Sequence, residues 1–158
     1  MNTFEQEVAR NHARAMEIGR RMAGPDAAVA PAMITTRGGM LRKRKKNGTV
    51  VAALASGVLH LQPVEPVELG PTGDEIELPP EKIASVATKP VEAPEQDGKP
   101  LCAGLVVKVN TVDQSSFELS FLDGSGELFR DHSTEARAEI KSAYDAFVAW
   151  VPAADESA

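Results

Sequence analysis

Residues 117–121 read Phe-Glu-Leu-Ser-Phe, the clearest strand pattern in the chain. Apolar and polar side chains alternate there, so the three apolar side chains face a core while Glu118 and Ser120 face water. Similar short segments bounded by Gly, Pro, Asp or Asn recur from residue 33 onward and predict an antiparallel sheet or barrel. The predicted strands are residues 33–36, 40–42, 49–54, 58–61, 75–78, 83–88, 105–110, 116–121 and 126–129.

Turn residues between these segments predict how neighbouring strands connect. Asn47-Gly48 and Ser56-Gly57 suit tight hairpins, and Asp-Gly-Ser-Gly at residues 123–126 suits a third one. Prolines divide the acidic middle of the chain, so its strands are expected to be short or to lie at a sheet edge. We predict a mobile loop over residues 89–99.

An amphipathic helix is predicted before the strands, over residues 1–22. Thr3 can cap it together with Gln6 in a capping box, and Gly24-Pro25 ends it. We expect residues 27–32, which are rich in small side chains, to form a linker. The helix then either stands apart from the main domain or packs across it. Its polar face carries Arg10, Arg14 and Arg21; a basic amphipathic helix can lie on a membrane or nucleic acid, but a solvated outer face is the commoner explanation and the one expected here.

A second amphipathic helix closes the chain. Ser133 or Thr134 can cap its start, and Pro152 is expected to end it. Its apolar stripe consists of Ile140, Tyr144, Phe147 and Val151, with Trp150 at the margin. The predicted organisation is a helix and linker over residues 1–32, a sheet domain with its closing helix over 33–152, and a disordered tail over 153–158.

Composition excludes several classes of protein. The 158 residues are 42% hydrophobic and 25% charged, which is typical of one globular domain and not of a disordered chain or a coiled coil. No stretch approaches the ~20 apolar residues of a membrane-spanning helix. A single cysteine, Cys102, cannot form an intrachain disulfide, so we expect a reducing, cytoplasmic location. Cys102 itself is predicted to be a small buried apolar residue.

Positive charge is concentrated in one part of the chain. Residues 1–61 carry ten Lys/Arg and four Asp/Glu, whereas residues 62–158 carry seven and nineteen. Most of the positive excess lies in what we call the basic cluster, predicted to lie on a hairpin. Its members are Arg37, Arg42, Lys43, Arg44, Lys45 and Lys46.

Three short passages resemble the GRAM-type variant of the PH-like domain. Residues 57–61 are similar to its glycine-led strand, and residues 76–79 with 82–86 are similar to its I-x-L-P…I-x-S-V stretch. Trp150 lies where PH domains often carry a tryptophan. The resemblance covers residues 37–151. It implies an α+β fold in which a seven-stranded, strongly bent, partly open antiparallel barrel is capped by the C-terminal helix, with the N-terminal helix as an addition.

The same resemblance implies a binding module without enzymatic activity. PH domains bind anionic head groups through basic residues between their first two strands, a position similar to that of the basic cluster. We therefore predict a module, cytoplasmic and peripheral to a membrane, that binds an anionic lipid surface or an acidic protein. The N-terminal helix would dock or support a homo-oligomer. Nucleic acid is a weaker candidate, because no aromatic side chain near the cluster could stack on bases.

An alternative from another class stays open. The chain could be a structural subunit of a larger assembly, such as a virion or plasmid-encoded component, in which the N-terminal helix and the Pro-rich loop contact neighbouring copies. Asp131-His132-Ser133 contains triad residue types, but adjacent residues seldom converge as a triad does, and a helix-capping turn accounts for them. The three histidines are far apart in sequence, so no metal site and no cofactor are predicted.

Overall fold

The computed structural model describes residues 3–37, 46–91 and 95–157 of the chain, with the side chains of Arg37, Lys46, Gln96 and residues 153–157 left undescribed. The elements follow one another along the chain as α1 (Thr3–Ala23), β1 (Ala28–Arg37), β2 (Lys46–Ala55), β3 (Val58–Val64), β4 (Ile76–Leu78), the 3₁₀ turn η1 (Pro80–Lys82), β5 (Ile83–Pro90), β6 (Glu95–Gln96), β7 (Lys99–Pro100), β8 (Gly104–Thr111), β9 (Ser116–Leu122), the 3₁₀ turn η2 (Glu127–Phe129) and α2 (Thr134–Ser157).

Seven of the strands form one antiparallel sheet in the order β4-β3-β2-β1-β9-β8-β5. The sheet curls into a half barrel, and β6 and β7 form a separate two-stranded hairpin. The predicted α+β class, with a bent antiparallel sheet, a closing C-terminal helix and an added N-terminal helix, is confirmed. β4, from the proline-rich middle, is a three-residue edge strand, as expected.

The concave face of the sheet holds the main core, which α2 covers. Leu119 and Phe121 of β9 point into it, in agreement with the alternation at residues 117–121. Phe147 of α2 stacks on Phe121 with ring centroids 4.3 Å apart. Trp150 is 7% exposed and belongs to this core, whereas the stripe pattern placed it at the margin. The final helix is therefore an integral part of the domain.

A second, smaller core lies on the opposite face of the sheet, beneath α1. Ala15 of α1 packs there against residues of β1, β2 and β3 and of the loop that follows β3. The buried members are Ala15, Val29, Val51, Ala53, Val64 and Leu69. Of the two positions expected for the N-terminal helix, the structure shows the one in which it packs across the sheet. Ala15, Ile18 and Met22 on its apolar side are thus covered by this chain's own strands, whereas Phe4 near its start is 59% exposed.

Polar contacts tie α1 to two other elements. Asn11 Nδ2 donates to the carbonyl oxygen of Val67 at 3.0 Å, and Arg14 Nη1 donates to that of Glu68, also at 3.0 Å. Glu139 of α2 lies 3.4 Å from His12 Nε2 and 3.5 Å from Arg20 Nη2. Arg14, on the face expected to be merely solvated, therefore contributes to anchoring the helix, whereas Arg21 on the same face pairs with Glu17 within α1.

The first strand is longer than predicted. Residues 28–32, expected to be a linker, belong to β1. Small side chains there are buried on both faces of the sheet, so the sequence lacks the alternation of apolar and polar residues that would predict a strand. Pro31 is tolerated because β9 pairs with β1 only from Met33 onward, so Pro31 has a strand neighbour on one side alone. The strand predicted at residues 40–42 lies outside the described residues.

One of the predicted turns is confirmed and the others are wrong. Ser56 and Gly57, with φ of 52° and 76°, form the predicted hairpin between β2 and β3. Asn47-Gly48 was predicted as a turn but lies within β2, opposite Thr35 and Ile34. The hairpin and final strand predicted over residues 123–129 are wrong, because the Asp123 carboxylate accepts the Ser125 N–H and shapes a turn into η2.

Three further expectations need correction. The loop predicted over residues 89–99 contains β6 and β7, joined by Asp97 and Gly98 with positive φ. α2 does not end at Pro152 but continues to Ser157. Proline has no N–H to donate to the carbonyl oxygen of Val148, one helical turn earlier. Val148 and Pro152 are both exposed, so water can hydrogen-bond to that carbonyl oxygen. Cys102 is half-buried and not fully buried.

Candidate functional site

The structure places the two ends of the basic cluster, Arg37 and Lys46, in the sheet. β1 and β2 pair in register from Ala28 opposite Leu54 to Thr36 opposite Lys46, so residues 38–45 connect two neighbouring antiparallel strands. Arg37 is the last residue of β1 and has Ser116 of β9 as its Cα partner. The remaining members, Arg42, Lys43, Arg44 and Lys45, lie outside the described residues.

β1 and β2 carry no carboxylate at this end of the sheet, and Glu65 directly follows Val64, the last residue of the neighbouring β3 and the Cα partner of Thr49. Residues 27–64 contain no Asp or Glu. On β9, Glu118 pairs with Thr35 and has Lys108 of β8 on its other side. Asp113 lies in the β8–β9 turn, where the hydroxyl of Thr111 and then the N–H of Ser115 lower the pKa of its carboxyl. Asp113 is therefore held as a carboxylate at the same end of the sheet.

A groove lies on the convex side, between the first half of α1 and the segment joining η2 to α2. Its floor includes Met33 of β1, and Leu128 of η2 stands on its rim; these side chains are 58% and 56% exposed. The groove encloses about 540 Å³, and a smaller depression of about 270 Å³ adjoins it, sharing Val8 and His132 as walls.

His132 separates these two depressions. Its ring packs against Phe129 with centroids 5.0 Å apart, and burial, followed by the nearby charges of His12 and Arg137, lowers its pKa. His12 also lines the groove, so these two histidines, far apart in sequence, lie near each other in the structure. Helix α1 crosses the sheet and brings together residues that are 120 positions apart in the chain.

The turn that carries His132 has the structural role expected from its sequence. The Ser133 hydroxyl oxygen accepts the backbone N–H of Ala136 at 3.0 Å and caps α2, as predicted. Asp131 lies 3.7 Å from Nε of Arg130. The Ser133 hydroxyl oxygen and the Asp131 carboxylate are thus each accounted for by a local contact.

A cluster that the sequence reasoning missed lies on β3 and β4. His60 and Glu77 are Cα partners across these strands, and Glu75 precedes β4 by one residue. His60 Nδ1 is 3.3 Å from Oε1 of Glu75, and one ligand atom from each of the three residues lies within 4.8 Å of the others. The only sequence signal is that Glu75 and Glu77 alternate with Ile76 and Leu78 and so share a face.

No helix within the described parts of the chain is long and apolar enough to cross a membrane. No protein-family model matches the chain, and no curated protein matches it. Among solved structures, the chain is similar to the pleckstrin homology (PH) domain of USP37, with a TM-score of 0.41, 9% identity, and coverage of 82% of this chain and 96% of that one. At these values the likeness says nothing about ligand or partner.

Proposed function

We propose that the protein is a binding module without enzymatic activity, whose basic cluster engages an anionic membrane surface. The observation that carries the proposal is the pairing of β1 with β2 up to Thr36 opposite Lys46. This pairing brings both ends of a ten-residue segment with six cations to the same end of one sheet, within a 38-residue stretch that contains no acidic residue.

Charge arithmetic supports the proposal. The six cations outnumber Glu65, Asp113 and Glu118, which lie at the same end of the sheet, and Glu118 already has Lys108 beside it. Each Lys or Arg close to an anionic bilayer contributes about 1 kcal/mol, and cations within a Debye length of ~10 Å act together. A cluster of this size binds an anionic surface without requiring a shaped pocket.

Vesicle sedimentation tests this proposal. The full chain is mixed either with vesicles of phosphatidylcholine alone or with vesicles that also contain roughly 30% phosphatidylserine, which gives them a negative surface potential. We expect binding to the anionic vesicles only, weakened by added salt because exposed charges are screened. Reversal of Lys43, Arg44 and Lys45 to Glu is expected to lower the vesicle affinity by at least roughly 100-fold, since about 1 kcal/mol is lost per cation and the added carboxylates are repelled by the anionic surface.

A matched control reverses three lysines elsewhere. Lys82, Lys89 and Lys99 are exposed, and their replacement by Glu changes the net charge by the same amount. We expect this variant to keep at least half of the vesicle binding. Equal losses in the two variants would show a net-charge effect and overturn the proposal. Binding of the wild type to soluble poly-glutamate but not to vesicles would replace the membrane with an acidic protein as the partner.

A further inference from the structure

The β3–β4 edge of the sheet holds three side chains whose donor atoms converge. Leu59 and Leu61 of β3 are fully buried in the concave core, so His60 between them points to the opposite face. Its direct partner across the strands, Glu77, points the same way, as does Glu75 two residues earlier. The register of β3 against β4 therefore holds His60 and Glu77 together, and Glu75, one residue before β4, lies beside them.

The donor set suits a transition metal ion better than an alkaline-earth ion. Ca²⁺ and Mg²⁺ are bound by oxygen ligands, whereas Zn²⁺ accepts imidazole nitrogen and carboxylate oxygen at 2.0–2.2 Å. Two such bonds at a tetrahedral angle place their donor atoms roughly 3.4 Å apart. The 3.3 Å separation of His60 Nδ1 and Glu75 Oε1, which is also a hydrogen-bonding distance, fits this spacing.

The cluster also lacks a cationic side chain. Within the described parts of the chain, His60 is the ion-pair partner of Glu75, and no lysine or arginine pairs with Glu75 or Glu77. Two carboxylates thus face one imidazole whose side chain is 13% exposed. Like charges this close are stabilised when a cation lies between them.

We propose that His60, Glu75 and Glu77 form a binding site for one divalent transition metal ion of the Zn²⁺ type. The three protein ligands leave a fourth position for water, and the two carboxylates are accessible from solvent. The ion would link the three-residue edge strand β4 to β3. This site is independent of the basic cluster and of its proposed membrane ligand.

Titration of the tag-free, metal-free full chain with Zn²⁺ tests the site. We expect one ion per chain by isothermal titration calorimetry and a rise in Tm of roughly 5–10 °C at 100 times the Kd. The chain has three histidines, so ring proton signals in NMR spectra can be assigned by substitution. Zn²⁺ is expected to shift the His60 signals before those of His12 and His132.

Substitutions decide whether these donors bind the ion. His60→Asn, Glu75→Gln and Glu77→Gln are each expected to weaken Zn²⁺ binding at least tenfold. Both glutamates are exposed, so their variants are expected to fold. The matched controls, His12→Asn and Glu127→Gln, should keep wild-type affinity. A wild-type Kd above about 1 mM, which corresponds to only about 4 kcal/mol of binding free energy, would overturn the proposal. Unchanged affinity in the glutamate variants would do the same.

Discussion

Gly19 of α1 lies against Val29 of β1 so closely that a Cβ atom on Gly19 would be 2.4 Å from both Val29 Cγ atoms. Real Cβ atoms do not approach other carbons to this distance, so the absence of a side chain at position 19 sets how near α1 comes to the sheet. Ala15, one helical turn earlier, continues this contact and is 1% exposed.

Gly19→Ala is therefore expected to destabilise the protein by about 1–2 kcal/mol. Overpacking costs ~1–3 kcal/mol, while alanine improves helix propensity by up to ~1 kcal/mol. Urea unfolding measures the difference. In a Val29→Ala background, which removes both Cγ atoms, the same substitution should cost less. A more stable Gly19→Ala protein would contradict the close approach of helix and sheet.

The stacked pair Phe121 and Phe147 predicts how strongly α2 holds the sheet. Phe147 is 1% exposed, and its replacement by alanine leaves a large cavity between helix and strand. We expect Phe147→Ala to lower the free energy of unfolding by about 3–5 kcal/mol. Val148→Ala, at the next position and 40% exposed, should change it by less than ~0.5 kcal/mol. Similar effects from both variants would mean that α2 does not close the core.

The Ser133 cap makes a separate contribution to α2. Ser133→Ala removes the acceptor for the Ala136 N–H and is expected to cost about 1 kcal/mol in thermal or urea unfolding. Ser142→Ala is the matched control, because Ser142 is exposed within the same helix and alanine there favours the helix by a few tenths of a kcal/mol. Equal stability of the two variants would count against the cap.

His132 predicts a dependence of stability on pH. Burial lowers its pKa in the folded state below the ordinary value of about 6.5, so between these two values the unfolded chain binds a proton that the folded chain does not. The contribution of His132 is thus complete above about pH 6.5 and is lost as the pH falls from that value through the lower pKa of the folded state. Urea unfolding between pH 5 and 7.5, a range that spans the ordinary histidine pKa, should show less loss at acid pH for His132→Asn. An unchanged pH profile would rule out this origin.

Much of the sheet could be predicted from sequence because its signals are local. The segments predicted at residues 49–54, 58–61, 83–88, 105–110 and 116–121 all lie within strands of the structure. Alternation of apolar and polar side chains depends on neighbouring residues alone, as does the Ser56-Gly57 turn, whose positive φ values suit a hairpin.

The predictions failed where packing replaces the local pattern. The first half of β1 is covered on one face by α1 and on the other by the main core, so its small apolar residues show no period of two. Asn47-Gly48 has the composition of a hairpin turn, but the pairing of β2 with β1 extends it as a strand through these residues. Pairing with residues 12 to 14 positions earlier in the chain outweighed turn propensity there.

The candidate sites also differ in whether a local sequence pattern reveals them. The basic cluster is visible in the order of residues, because charge density needs no folding to be recognised. The His60, Glu75 and Glu77 cluster depends on the register of β3 against β4, and the meeting of His12 with His132 depends on where α1 crosses the sheet. Neither is visible in the linear spacing of the residues.

The order of amino acids by itself determined the strand-rich middle, the two amphipathic helices and the concentration of positive charge, since periodicity and composition act over a few neighbouring positions. Tertiary structure alone decided that α1 covers the convex face through Gly19 and Val29, and which polar side chains meet across strands. Those outcomes depend on shape and register between segments far apart in the chain, which no local pattern specifies.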